Sequence, residues 1–297
     1  MFPDSHDSPY TADSPYTADS AEATAADLGP AIAIGTPEQA ASYFPRGLRQ
    51  PEGSFRFSAD ALLLSCFFPP GRGETLLDIG TGCGVVAFGA LLRHVCARAA
   101  GVELSEILVQ AANENAIQLG LADRFRCFQY DAGYAVTSRK LIEDLSVFEK
   151  SLDATRLGGS WPGFDYVAFN PPFYTQGSGR LPKNALRRQA LFAKEHTLED
   201  FCRLAARAVK PTGRVALVYP AEGMYRMGKA LAGSALHIRR QMPVIFRKGK
   251  APARYLVEAC KEFAPIQNED PLVLHDDTGA LTPEAAQFCP YLMAGRE

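Results

Sequence analysis

The chain has 297 residues, with Lys+Arg 31 against Asp+Glu 33 and a formal net charge of −2. An apolar fraction of 47% excludes collagen-like and wholly disordered classes, and seven scattered cysteines without a C-x-x-C pair suit reduced cytoplasmic thiols, not a disulfide framework or a zinc site. The longest uncharged apolar run, 79–92, is only 14 residues and broken by glycines, too short to span a bilayer.

The near-zero charge is an average over unlike parts. Residues 1–45 carry seven acids and no Lys or Arg, which leaves 31 basic against 26 acidic residues, a net +5, for 46–297. Within 180–254 there are 17 basic and 4 acidic residues, a local +13. Such asymmetry points to an anionic partner and says nothing about fold. Residues 1–45 contain a tandem DSPYTA at 7–12 and 13–18 and read as a disordered acidic tail. They carry no basic segment followed by an apolar core, so no signal or transit peptide is expected. Residues 46–297 are expected to form one folded domain.

From residue 53 onward strands and helices alternate. FRFSADALLLSCFF (55–68) predicts an extended entry and then an apolar helix, and TLLDIG (75–80) a buried parallel strand. A helix over 83–96, a strand over 99–104 and a helix over 105–120, opened by Ser105 and closed by Gly120, come next. FRCFQYD (125–131) is a third strand; 132–163 is longer than an ordinary connection and reads as an insertion or flap. FDYVAFN (164–170) is a fourth strand, followed by a polar, basic stretch over 176–196. A helix over 197–210, a strand over 214–220, a helix near 222–234 and an antiparallel pair, 237–246 and 253–261, complete the chain. The alternation predicts a doubly wound, mostly parallel, seven-stranded α/β sheet whose ligands lie at the carboxyl ends of the strands.

Two constellations carry chemistry. Asp78-Ile-Gly80-Thr81-Gly82-Cys-Gly84 turns from the first strand into a helix, where glycines admit a close ligand and the helix start offers unpaired N–H groups. Its third glycine comes one residue earlier than in a dinucleotide cradle. Glu103 ends the second strand, where a carboxylate can accept hydrogen bonds from ribose hydroxyls, and Asp131 ends the third. The other constellation is Asn170-Pro171-Pro172-Phe173 at the end of the fourth strand. Its prolines hold carbonyl acceptors rigidly, Asn170 adds another acceptor, and Phe173 offers a ring for stacking. Such a group can grip a planar amino group and aim its nitrogen lone pair at an electrophile.

Together these segments resemble class I S-adenosylmethionine-dependent methyltransferases, and more narrowly the bacterial tRNA adenine-N6 methyltransferases that modify valine tRNA beside the anticodon. The resemblance runs from Leu48 to Tyr291. It rests on FRFSADALLL, LLDIGTGCGVVAF, NPPFYTQGSGRLPKN, the TLEDF to ALVYPAE run (197–222) and TPEAAQF (282–288). It implies S-adenosylmethionine as cofactor, with Asp78, Gly80, Thr81, Gly82 and Gly84 at its methionine part, Asp60 near its amino-acid end, Glu103 at its ribose and Asp131 near its adenine. Asn170, at the junction of cofactor and acceptor, and the Pro171 carbonyl would grip the target amino group, with Pro172 stiffening the turn and Phe173 stacking on the base.

The resemblance gives the basic region a role: Arg180, Lys183, Arg187 and Arg188 after the Asn-Pro-Pro-Phe turn, and Arg247, Lys248 and Lys250 between the last two strands, would contact the phosphates of tRNA. No metal, membrane or covalent protein intermediate is expected. This chain departs from the family in its long 132–163 segment, in Ala193-Lys194-Glu195-His196 where an Arg-His-Glu-like run is usual, and in Ile245-Phe246-Arg247 where a His-Pro-Arg turn is usual. Protein glutamine-amide methylation, guanine-N2 methylation of ribosomal RNA and a catalytically silent RNA-binding protein are the competing readings.

Overall fold

In the computed structural model the described residues are 36–52, 54, 56–68, 74–93, 98–135, 139–150, 163–172, 174–175, 192–193 and 197–293. The centre is β1 (Thr75–Ile79), whose five residues are all buried because both faces of a parallel strand are covered. It pairs in parallel with β2 (Arg98–Glu103) on one side and β4 (Phe164–Phe169) on the other. β3 (Phe125–Gln129) extends the sheet beyond β2. Beyond β4 lies β7 (Val209–Pro220), and then β9 (Arg254–Cys260), antiparallel to both β7 and β8 (His237–Ile245). The seven expected strands are therefore present, and the expected C-terminal antiparallel pair is incorporated into the sheet. Two additional two-residue strands, β10 (Gln267–Asn268) and β11 (Leu272–Val273), pair with β8 and bring the sheet to nine. Their brevity leaves no periodicity to read in the sequence. A separate parallel pair joins β5 (Tyr174–Thr175) to β6 (Phe192–Ala193).

Helices cover both faces. Alternate strand residues such as Leu76, Ala168, Ala216 and Leu256 pack with α2 (Ala59–Phe67), α3 (Val85–Arg93) and the segment ending at Cys289. Leu77, Ile79, Val167, Phe169 and Leu217 face the other way, onto α6 (Arg139–Lys150), α7 (Thr197–Ala208) and α8 (Met224–Gly233).

Three expectations need correction. The acidic tail does not extend to residue 45: α1 (Pro37–Tyr43) is closed by a Thr36/Gln39 capping box, and Ala40 and Phe44 are buried. Residues 1–35, with the repeat, lie outside the described residues. The 132–163 segment is in part helical, through α5 (Ala132–Ala135) and α6, whose Leu141 and Leu145 are completely buried. The helix over 197–210 stops at Ala208, and β7 begins at Val209, taking in Pro211 and Gly213. The cause is an irregularity: Phe164 pairs with Val209 and Tyr166 with Arg214, so the two breakers occupy the bulged stretch between them.

Candidate active site

The strand order places the reversal of chain winding between β1 and β4, and the candidate residues gather at the carboxyl ends there. Ile79 pairs with Phe169, so Gly80 and Asn170 leave the sheet side by side. Glu103 ends the neighbouring strand. Gly80, Gly82 and Gly84 all have positive φ (70°, 58° and 97°), which only glycine adopts without strain. The turn is fixed by the Gly80 amide donating to the Val102 carbonyl at 2.7 Å and the Gly84 amide to the Thr81 carbonyl at 2.9 Å.

The three glycines differ in their surroundings. A Cβ on Gly84 would stand 2.2 Å from the Phe88 ring, and one on Gly80 3.2 Å from Phe201. A Cβ on Gly82 would meet nothing within 4 Å. Gly84 is thus required by packing, whereas Gly82 borders open space beside the turn.

The acids divide in the same manner. Asp78 is buried beneath the turn, where its carboxylate accepts the Thr81 hydroxyl at 2.6 Å. Burial pushes its pKa up to about 7; the Thr81 bond opposes this and the Glu103 charge adds to it. Asp78 therefore supports the turn from below, and Thr81 is occupied in the same bond. Glu103 accepts from the Gly82 amide at 3.0 Å through Oε2, and from the Leu104 and Ser105 amides at 2.9 and 3.0 Å through Oε1. Three of its roughly four acceptor positions are filled by backbone. One acceptor position remains on Oε2. Burial raises the pKa of Glu103, and those three N–H bonds pull the other way. Asp131 is half-buried and accepts the Gly133 amide at 2.9 Å, which starts α5. Burial pushes the Cys83 thiol up to about 12, so it is inert as a nucleophile at neutral pH.

Asn170 behaves differently. Its Oδ1 is buried and has no hydrogen-bond partner among the described residues. Such an atom is costly unless a ligand completes it. Pro171 is buried and Pro172 half-buried beside it. Phe173, Arg180, Lys183, Arg187 and Arg188 lie outside the described residues. Arg247, Lys248 and Lys250 are exposed in the loop between β8 and β9. Because β9 is antiparallel to β7 and β8 to β9, β8 ends on the same edge of the sheet as β1 and β4. The basic loop therefore shares that edge with Asn170.

Three site residues were missed by sequence reasoning. Arg254 donates through Nε to Asp60 Oδ2 at 3.1 Å, so Asp60, buried at the start of α2, is engaged by a partner 194 residues away. Phe201 packs edge-on against Phe169, 5.8 Å between ring centres, and backs Gly80. Asn115, fully buried in α4 (Glu106–Gln118), donates to the Cys83 carbonyl at 3.0 Å and the Arg49 carbonyl at 3.1 Å, and accepts the Arg49 amide at 2.7 Å. Nothing in the periodicity distinguishes these residues from ordinary surface or core positions. Among the described residues no cluster of three His, Cys, Asp or Glu could hold a metal, and no helix is long and apolar enough to cross a membrane.

Residues 58–141 match the model of a precorrin methyltransferase domain. The chain is 29% identical over 207 residues to a tRNA1(Val) (adenine(37)-N6)-methyltransferase of Shewanella sediminis, covering 68% of this chain and 75% of that one. It is 28% identical to the enzyme of the same name from Haemophilus influenzae strain PittGG, covering 77% and 87%. The chain is similar to these methyltransferases over most of its length. A crystal structure of a predicted O-methyltransferase from Agrobacterium tumefaciens, 18% identical, superposes with a TM-score of 0.58 over 78% of this chain and 96% of that one. The superposition shows a shared Rossmann-like fold, the doubly wound sheet expected from the strand–helix alternation.

Proposed function

We propose that this protein transfers a methyl group from S-adenosylmethionine to the exocyclic N6 of an adenine in tRNA. The observation that carries the reading is the buried, unpartnered Asn170 Oδ1 standing beside a positive-φ glycine turn. The residues present fit the cofactor: Gly82 borders open space, and Glu103 keeps an acceptor position for a ribose hydroxyl.

When bound, S-adenosylmethionine supplies an activated methyl group. The protein's own part is positioning. Asn170 Oδ1 would accept one hydrogen of the target amino group and the Pro171 carbonyl the other, which turns the nitrogen lone pair out of the plane of the base. The two prolines hold the backbone at Asn170 and the Pro171 carbonyl in place. Asp78 and Thr81 keep the turn closed from beneath, and Glu103 holds Gly82 in place.

An amide nitrogen could enter the same grip, so the acceptor class is decided by charge. The exposed basic loop on the Asn170 edge favours a polyanion. The names of the homologues favour adenine N6 in tRNA, and with tRNA the enzyme would work in the cytoplasm. The test is transfer of tritiated methyl to total tRNA, ribosomal RNA and protein, followed by nucleoside analysis. The expected product is N6-methyladenosine in tRNA; label confined to protein overturns the reading.

A further inference from the structure

The loop between β8 and β9 carries an aromatic ring as well as cations. Phe246 follows the last residue of β8 and is 39% exposed. The Arg254 guanidinium lies 5.5 Å from the centre of its ring. That same guanidinium is bonded to Asp60 at 3.1 Å, which ties the ring to the start of α2 on the strand-end edge of the sheet. Arg247 and Lys250 follow it in the same loop and are both exposed. Lys248 pairs with Asp277 at 3.2 Å, whereas neither Arg247 nor Lys250 is ion-paired among the described residues.

The loop is also held in shape. The Leu274 amide donates to the Ile245 carbonyl at 2.8 Å, and the Lys248 amide to the His275 carbonyl at 2.8 Å. His275 Nδ1 lies 2.9 Å from the Phe246 carbonyl, and the Lys250 amide closes a turn onto the Arg247 carbonyl at 3.1 Å. A single exposed Phe is unremarkable by itself. An exposed ring followed by two cations without an ion pair among the described residues, on a pinned loop at the same sheet edge as Asn170, has the composition of a single-strand nucleic-acid platform: a π-face for a base and charges for the neighbouring phosphates.

We propose that Phe246 is a stacking platform for an unpaired base next to the target adenine, with Arg247 and Lys250 on the adjoining phosphates. This rests on the RNA reading of the same site. It adds a specificity element that the chemistry does not require, since the ring lies outside the amino-gripping group.

The test uses an RNA stem-loop substrate with 2-aminopurine placed on either side of the loop adenine. Wild-type protein is expected to quench the fluorescence of one of the two probes. Phe246→Ala is expected to raise KM for the RNA about tenfold and to remove the quenching, with kcat falling less than threefold and cofactor affinity unchanged. Phe246→Trp is expected to keep both KM and quenching near wild type. Unchanged KM in Phe246→Ala, or equal loss in Ala and Trp variants, overturns the stacking role while leaving the RNA reading intact. A wild-type protein that leaves the RNA unmethylated overturns the RNA reading and the platform with it. Competition by polyglutamate equal to that by the RNA would assign the ring and cations to an acidic peptide instead.

Discussion

Gly82 donates its backbone N–H to the Glu103 carboxylate at 3.0 Å, joining the turn after β1 to the end of β2. One carboxylate thus shapes the turn and faces the space beside it. Glu103→Gln keeps the volume but loses the charge and one acceptor. Loss of a charge-assisted bond predicts at least a tenfold rise in the dissociation constant for S-adenosylmethionine, measured by calorimetry.

In the proposed reaction Asn170 would act on the acceptor and not on the glycine turn. Asn170→Ala is therefore expected to lower kcat about 100-fold or more, by analogy with removal of one polar group aimed at a reacting centre. Cofactor affinity should stay within about twofold. A variant that retains activity contradicts the amino-gripping role.

The glycines of the turn should respond unequally. Gly82→Ala meets open space and pays only for its positive φ, about 1–2 kcal/mol of stability. Gly84→Ala adds a collision with the Phe88 ring and should cost clearly more. Urea titration of both variants orders them. Cofactor binding should suffer in Gly82→Ala despite its milder folding defect.

Burial raises the Asp78 pKa from 3.8 to about 7. Between those values the folded chain holds a proton that the unfolded chain has released. Stability from this group is therefore highest below its unfolded pKa and falls as pH rises towards 7. Asp78→Asn carries no titrating proton and should flatten the dependence of Tm on pH between about 4 and 7. Burial shifts Glu103 in the same direction, so a residual slope is expected.

Arg254 and Asp60 form a largely buried pair, with side-chain exposures of 20% and 7%. Arg254→Met leaves an uncompensated carboxylate and should cost about 3 kcal/mol of unfolding free energy. Adding Asp60→Asn should recover much of that loss. If the double variant is no more stable than the single one, the pair is not what stabilises this corner.

The central strands were legible because β1 (TLLDI) and β4 (FDYVAF) are short, mainly apolar runs followed by a glycine or by an amide and two prolines, and Asp78, Glu103 and Asn170 came with the strand ends. Other features had local signals that went unread. Thr36-Pro-Glu-Gln39 is a capping box inside an otherwise acidic stretch. Leu141, Leu145 and Phe148 show helical spacing within a segment read as an insertion. In β7, Pro211 and Gly213 look like a helix stop followed by a gap, and only the pairing of Val209 with Phe164 shows that the strand has already begun. The Arg254–Asp60 and Asn115–Cys83 bonds have no sequence signature, since each depends on residues far apart in the chain meeting across the finished fold.

The side chain of Asn115 clasps both directions of the Arg49 backbone and the Cys83 carbonyl with one amide. The residues ahead of the first strand are therefore wired into the glycine turn after β1. Phe44, just upstream, packs against Tyr291, whose hydroxyl reaches the Gly89 carbonyl at 3.0 Å. Phe44 and Tyr291 thus meet behind α3 as a buckle, and trimming either segment past these contacts would slacken the glycine turn from the far side without altering any residue of the turn itself.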